Sequence, residues 1–327
     1  MARANALYYA TQDPFADFTT APEIAQMFGE LLGAWAAVVW QTMGSPSPVA
    51  LVEAGPGRGT LMADARRATA RVAPAFHAAC RVHLIETSPR LRAEQAARIP
   101  GATWHDTLDS LPPGPAIVLA NEFLDALPIR QFIRTGATWT ERHVQNGQFL
   151  DIPIQAALVP AREDWAQEDW ARAGHATIHE INEPACAWVH QIAVRLAHER
   201  GAALILDYGP AESGSGDSLQ AIRAGRSADP LSDPGTADLT AHVDFAALRR
   251  VAEAAGAACW GPVTQGAFLS SLGLTERTAQ LAGANPHSAA ALRDAAARLA
   301  APARMGTLFK ALCLTHPGVP APPGFAA

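Results

Sequence analysis

Residues 51–60 read Leu51-Val52-Glu53-Ala54-Gly55-Pro56-Gly57-Arg58-Gly59-Thr60, and this decamer decides the fold. An apolar run of strand length, residues 49–52, ends at an acid, Glu53, and the chain then turns through Gly55, Gly57 and Gly59. Glycines at alternate positions let a backbone pass close to a ligand, because no Cβ intervenes. Dinucleotide-binding loops favour Gly-x-Gly-x-x-Gly, with a helix N-terminus facing a pyrophosphate. Here the third glycine falls one residue early and an acid precedes the first. That arrangement suits a positively charged, phosphate-free ligand such as S-adenosyl-L-methionine (SAM). Glu53, Gly55, Gly57, Gly59 and Thr60 are the first candidate cofactor-binding residues. A strand, glycine loop and helix with no cofactor is the alternative reading of the decamer alone.

Working outward, helical and strand patterns alternate. Before the decamer, Ile24, Met27, Phe28, Leu31, Leu32, Trp35, Val38 and Val39 recur at helical spacing. Thr20, Pro22 and Glu23 read as N-cap, first-turn proline and capping box of that helix. After it, the spacing predicts a helix over 60–71, a strand over 81–85 ending at Glu86, a helix over 89–98 and a short strand at 102–104. A fourth strand, 116–120, ends at Asn121-Glu122. A hairpin over 130–135 and 139–144 follows, with a second turn at Asn146-Gly147. A helix over 183–200 feeds a fifth strand, 202–206, that ends at Asp207-Tyr208-Gly209. Residues 210–240 are rich in Gly, Ser, Pro and Asp and show no periodicity, which reads as a disordered stretch or a functional lid. A helix from near Val243, a strand near Cys259, a helix over 289–300 and a last strand at 307–315 complete the pattern, with a frayed Pro-rich tail. Strands separated by helices predict an α/β, doubly wound, mostly parallel sheet with helices on both faces and the ligand at the carboxyl ends of the strands.

Composition narrows the function class. The 327 residues are 49% hydrophobic and 17% charged, as in globular proteins. A net charge of −6 gives no support for a nucleic-acid partner, which a basic patch would signal. Cys80, Cys186, Cys259 and Cys313 are scattered without a Cys-x-x-Cys pair, so no metal site or disulfide framework is expected. The first dozen residues contain one basic residue, Arg3, and no long apolar run, and the longest apolar stretch near the start is too short to span a bilayer. The expectation is a cytoplasmic protein with no membrane insertion, a processed mitochondrial matrix protein having the same features.

In a doubly wound sheet the chemistry belongs on the loops after successive strands, and four such ends carry acids: Glu53, Glu86, Asn121-Glu122 and Asp207. Glu86, at the end of the second strand, is placed where a carboxylate accepts both ribose hydroxyls of an adenosine. Asp106, just after the third strand, is the candidate for the adenine amino group. Any one of these acids has the alternative reading of a loop residue or N-cap.

Several motifs resemble one family. They are Thr19-Thr20-Ala21-Pro22-Glu23-Ile24 with Gln26-Met27-Phe28-Gly29-Glu30, the glycine decamer, and His83-Leu84-Ile85-Glu86-Thr87-Ser88-Pro89. To these are added Ala120-Asn121-Glu122-Phe123-Leu124-Asp125-Ala126-Leu127-Pro128-Ile129-Arg130-Gln131, the Asp207-Tyr208-Gly209 turn, and Ala237-Asp238-Leu239-Thr240-Ala241-His242-Val243-Asp244-Phe245. Together they are similar to the MidA family, SAM-dependent methyltransferases related to the mitochondrial complex I assembly factor that methylates an arginine. The resemblance runs from about residue 7 to 316, with 120–131 its most specific part. It implies a class I methyltransferase fold, SAM as cofactor with S-adenosyl-L-homocysteine (SAH) as product, and a protein-arginine acceptor on a complex I-type subunit. It also implies a layout: residues 1–44 cover the cofactor, 45–316 form the methyltransferase domain with insertions at about 130–180 and 210–240, and 317–327 form a flexible tail. Two departures stand in the cofactor-covering segment, where Thr20 is a further candidate: Asp13-Pro14-Phe15-Ala16-Asp17-Phe18 is shortened, and the helix expected before Tyr8-Tyr9 is missing.

For catalysis the resemblance and the residue types point to Glu122 as the main carboxylate against a guanidinium, with Asp125 second and Asn121 positioning. The alternative for Glu122 is an N-cap neighbour after the fourth strand, and for Asp125 a cap of the helix that would follow. His242 and Asp244 form a candidate proton-accepting pair, against a reading in which Asp244 caps the next helix and His242 packs. Tyr208 and residues 139–142 are candidates for the acceptor channel. A small-molecule methyltransferase and a non-catalytic assembly chaperone stand beside the protein-arginine reading.

Overall fold

A computed structural model describes residues 1–12, 19–159 and 176–325. Three helices precede the sheet: α1 (Ala2–Thr11), α2 (Ala21–Ile24) and α3 (Gln26–Thr42). The single helix expected from Thr20 is broken at Ala25, whose backbone is extended (φ −160°, ψ 134°). Nor does the Thr20 side chain cap it. The first amide of α2, on Ala21, donates instead across the fold to Glu122 Oε1 at 2.8 Å. Tyr8 and Tyr9 lie inside α1. The shortened 13–18 stretch lies outside the described residues.

The wound sheet then begins with β1 (Val49–Ala54), α4 (Thr60–Val72), α5 (Pro74–Ala79), β2 (Cys80–Ile85), α6 (Pro89–Arg98), β3 (Thr103–His105) and β4 (Ala116–Asn121). Helix α6 carries the start signals the sequence shows, proline in its first turn and the Ser88 hydroxyl accepting from the Leu91 amide. Helix α5 was not expected. Next come β5 (Arg130–Thr135), β6 (Thr138–Gln145), β7 (Gln148–Ile154) and β8 (Thr177–Ile181), an antiparallel sheet in the order β7-β6-β5-β8. Asn146 and Gly147 both take positive φ (52° and 72°), as a two-residue hairpin turn with the twist of its strands requires.

Helix α7 (Glu183–His198) leads into β9 (Gly201–Tyr208). The stretch expected to be disordered or a lid instead contains β10 (Gln220–Arg223), β11 (Arg226–Ser227) and β12 (Asp238–Thr240), a small antiparallel sheet. Its strands are short and its apolar residues are mostly alanine, with Ala221, Ala237 and Leu239 forming a minor core, so no periodic signal marks them. The chain ends with α8 (Phe245–Ala254), β13 (Ala258–Thr264), α9 (Gln265–Ser271), α10 (Leu274–Ala284), α11 (Ala289–Ala300) and β14 (Phe309–Thr315).

The main sheet has seven strands in the order β13-β14-β9-β4-β1-β2-β3. Strands β3, β2, β1, β4 and β9 run parallel, and β14 is antiparallel to both its neighbours. Alternate residues of the central strands enter two separate cores. Leu51, Ile117, Leu119, Leu204 and Leu206 pack under α3, α4 and the C-terminal helices. Val52, Val118, Ala120, Ala203 and Ile205 pack under α7 and α8. This is the two-sided burial that parallel strands need. The tail expected to fray is packed instead: Val319 is buried, Phe325 stacks against Phe268 at 5.3 Å, and the Trp35 indole donates to the Pro323 carbonyl. Among the described residues, no helix is long and apolar enough to cross a membrane.

Helices α3 and α4 meet through glycine. A Cβ on Gly29 would fall 2.7 Å from Asp64 Cβ, and one on Gly33 would fall 2.8 Å from both Ala65 Cα and its carbonyl oxygen. Gly33→Val is expected to lower stability by about 1–3 kcal/mol through overpacking, read as a lower urea midpoint at unchanged m-value. Gly283→Ala, where a Cβ meets open space in α10, is the contrasting control and raises stability by up to about 1 kcal/mol.

Candidate active site

The winding of the sheet reverses between β1 and β4, and the crevice outside the carboxyl ends at such a point is where doubly wound folds take ligands. A cavity of about 570 Å³ lies there. Of the residues singled out from the sequence, Glu53, Gly55, Gly57, Thr60, Thr20, Glu86, Asp106, Asn121 and Glu122 line it. Gly59 stands at the entry to α4 with φ 80°, a conformation few other residues adopt there. A Cβ on Gly55 (φ 62°) would come within 2.8 Å of the Phe123 ring. The loop's glycines thus answer both to backbone conformation and to neighbouring side chains.

The carboxylates at the strand ends are buried (Glu53, Asp207) or half-buried (Glu86, Glu122), and loss of water sets their protonation. Glu53 is 3% exposed, its Oε2 has no hydrogen-bond partner among the described residues, and desolvation pushes its pKa up to about 8. Glu86 is also raised by burial, against hydrogen bonds from the Ser88 amide (2.8 Å) and Gln95 Nε2 (3.2 Å). Asp106 pairs with Arg92 at 2.6 Å on the rim.

Glu122 follows the last residue of β4 in the left-handed region (φ 49°), which costs a non-glycine residue about 1–3 kcal/mol and is held by its surroundings. Its amide donates to the Leu206 carbonyl, and its Oε1 accepts from the Ala21 amide and from Asn121 Nδ2 (3.1 Å). Burial raises its pKa to about 7. No helix follows it, so neither Glu122 nor Asp125 caps one there. Residues 123–125 instead turn over Asp207, whose Oδ2 accepts their three amides at 3.2, 2.9 and 3.3 Å. Asp125 is 7% exposed, its Oδ1 has no hydrogen-bond partner among the described residues, and burial, then Asp207, Glu122 and Asp238, hold its pKa well above the carboxylate range. It stands behind the cavity wall.

His242 is not brought to the cavity. Its backbone amide donates to Ser218 Oγ, its ring meets Tyr208 edge-on at 5.3 Å, and burial lowers its pKa. Asp244 caps α8 through the Ala247 amide and accepts from the Ser213 hydroxyl. Trp139 packs on His179 and under Arg134, while Arg142 pairs with Asp151 and Asp217, all away from the cavity lining. Among the described residues, no group of three or more His, Cys, Asp or Glu is placed to hold a metal ion.

Four contributors were not identified from the sequence. Glu23, read there as a local capping-box acid, lines the cavity and accepts from the Thr60 hydroxyl. Gln95, fully buried on α6, donates to the Gly57 carbonyl at 2.7 Å and to Glu86 while accepting from Trp104. Asn5 and Tyr9 of α1 form a wall of the cavity, and Asn5 Nδ2 ties that helix to the carbonyls of Ala126 and Leu239. Only Glu23, by its place three residues after Thr20, left a sequence signal.

Residues 31–263 match the family model described as "Putative S-adenosyl-L-methionine-dependent methyltransferase". The chain belongs to this methyltransferase family. The Drosophila melanogaster protein named protein arginine methyltransferase NDUFAF7 homolog, mitochondrial, is 36% identical over 95% of this chain and 78% of its own. The human protein arginine methyltransferase NDUFAF7, mitochondrial, is 34% identical over 83% of this chain and 67% of its own. A crystal structure of a COG1565 superfamily member from Burkholderia thailandensis, bound to S-adenosyl-homocysteine, superposes with a TM-score of 0.78 at 27% identity, covering 94% of this chain and 81% of that one. A native structure from the same superfamily and organism gives 0.81 at 28% identity, covering 99% and 88%. The cofactor of this methyltransferase is SAM, and the cavity suits it: Glu53 offers an orphaned buried carboxylate oxygen to an ammonium, and the glycine loop brings bare backbone to the same wall.

The sign of the pH effect follows from Glu53. Folded, it keeps its proton up to about 8, while the unfolded carboxylate ionises near 4.5, so it makes the ligand-free chain less stable as pH rises from 4.5 through 8. A cationic amino group prefers the ionised form, so SAH affinity measured by calorimetry should climb over the same window and level off above it. Glu53→Gln should abolish this climb.

Proposed function

We propose that this methyltransferase acts on an arginine of a protein, a respiratory complex I-type subunit. The observation that carries the reading is the group of carboxylates at the ends of β4 and β9, the buried Asp125 and Asp207 and the half-buried, cavity-lining Glu122, with one Asp125 oxygen unpartnered among the described residues. A site built this way favours a cation over a neutral acceptor. The relatives' names, protein arginine methyltransferase, support the same acceptor. Their mitochondrial names support a matrix setting for relatives of that kind, and a bacterial cytoplasm is the corresponding compartment for a chain like this one.

In this reading Glu53 and the loop of Gly55, Gly57 and Gly59 hold the amino-acid end of the cofactor, with Thr60 and Thr20 beside them. Glu86 receives the ribose and Asp106 faces the adenine. When bound, SAM supplies a methyl group on a sulfonium, the electrophile of the transfer. The chain's own work is to position and neutralise. Holding the acceptor nitrogen in line contributes about 7–11 kcal/mol to lowering the barrier. A guanidinium keeps its charge with a pKa above about 12 and has its lone pairs delocalised. Glu122, on the nitrogens that do not react, draws the charge away from the one that does, and Asp125 adds its field from behind the wall. Asn121 fixes the Glu122 carboxylate through its 3.1 Å hydrogen bond. One N–H proton leaves the reacting nitrogen for solvent as the N–C bond forms.

The antiparallel sheet β5–β8 and the small sheet β10–β12 are the protein-facing insertions in this reading, and residues 1–44 form the cofactor cover. The test is a labelled methyl-transfer assay with purified complex I-type subunits, followed by identification of the modified amino acid. Glu122→Gln should keep SAH affinity and lose about 10²–10³ in rate. Full activity in that variant, or label found only on small molecules, would overturn the reading.

A further inference from the structure

Gln95 does not line the cofactor cavity, yet it bonds two residues that do, Gly57 and Glu86. It stands on α6 with no exposed surface, and a Cβ on Gly59 would fall 3.5 Å from its Cγ, so its stem lies close under the glycine loop. Both amide hydrogens and the amide oxygen are engaged. Nε2 donates to the Gly57 carbonyl at 2.7 Å and to Glu86 Oε2 at 3.2 Å, and Oε1 accepts from Trp104 Nε1 at 2.8 Å. An indole N–H can only donate, so Trp104 fixes which way the amide faces. Turned over, Gln95 would set its oxygen against a carbonyl and a carboxylate and its amino group against an indole N–H, three like-to-like contacts in a buried place. The Glu86 carboxylate is in turn held at both oxygens, Oε1 by the Ser88 amide at 2.8 Å and Oε2 by Gln95. These bonds favour its ionised form against the burial that raises its pKa.

We propose that Gln95, turned by Trp104, is a positioning residue for the cofactor: it locks the glycine loop to Glu86 and aims that carboxylate at the ribose diol. This rests on the reading of Glu86 as the ribose acceptor and deepens it. Each Glu86 oxygen already receives a donor from the protein, so the lone pairs left over fix where two ribose hydroxyls can lie. One ligand must meet the loop and the carboxylate together, and a single amide that holds both sets the distance between them. Trp104 lies next to β2 on β3, outside the cavity lining, and acts on the cofactor only through that amide.

The test measures, by calorimetry on the full chain, affinity for SAH and for 2′,3′-dideoxy-SAH, which lacks the diol. The ratio of the two cancels what Glu53 and the rest of the ligand contribute. Wild type should prefer SAH by about tenfold or more, as hydrogen bonds to a charged group allow. Gln95→Met, which keeps the volume and removes the three bonds, should cut that preference by about threefold or more. Trp104→Phe leaves Gln95 in place but frees its amide to turn over. It should cut the preference by less, and adding it to Gln95→Met should change the ratio no further. A packing role alone would weaken both ligands alike and leave the ratio unmoved. An unchanged ratio in these variants overturns the proposal while Glu86 keeps the ribose, and where Gln95→Met does not fold, Trp104→Phe decides alone. No preference in wild type removes the Glu86 assignment and this proposal with it.

Discussion

A carboxylate taken out of water needs a proton, a set of hydrogen-bond donors or a cation, and this fold buries four around one crevice, Glu53, Asp125, Asp207 and Asp238, with Glu122 half-buried beside them. They are not equivalent. Asp207 is given donors, the amides of Phe123, Leu124, Asp125 and Tyr208, and so serves as the bracket on which the 123–125 turn is bent. Glu122 is given two donors and a strained backbone. Glu53 and Asp125 each keep an oxygen without a partner among the described residues. That gradation, from satisfied to unsatisfied, separates the acids that hold the protein together from those left for ligands.

The scaffold makes this possible because the sheet changes winding direction between β1 and β4, so two strand ends point their loops apart and leave a gap. Each strand end is fixed by two-sided packing, which gives the loops rigid footings. The N-terminal segment closes the gap from above through few but directional bonds: Ala21 to Glu122, Asn5 to the 126 and 239 carbonyls, Tyr9 to Asp238. Cofactor site and 123–125 turn therefore share a wall.

Much of this was legible in the sequence where a residue's role is local. The glycine decamer, Asn146-Gly147 in the hairpin and the apolar strands all announce themselves by conformation or period. What escaped detection depends on partners far along the chain. Thr20 looks like an N-cap, yet its side chain makes no cap bond and the first amide of α2 is bonded by a carboxylate 101 positions away. Asp125 looks like a cap for a helix that does not form, because Asp207 holds the loop in a turn. His242 and Asp244 read as a proton-accepting pair or as a packed ring and a cap, and the structure sets His242 against the Tyr208 ring and Asp244 at the start of α8. Strands β10–β12 escape because alanine and short length leave no pattern, and the tail's packing depends on Phe268 and Trp35, which no local rule connects to it.

The contact of α3 with α4 has a further consequence. Where helices touch through Gly29 and Gly33, the bare backbone of α3 lies against the main chain of Leu61 and Ala65 and the β-carbons of Asp64 and Ala65. Since α4 begins just after the glycine loop, a side chain added at either glycine would press on the element that carries the loop. Sequence drift can reshape the opposite layer, where leucine, valine and alanine trade volume, but at these two positions there is no room for a side chain at all.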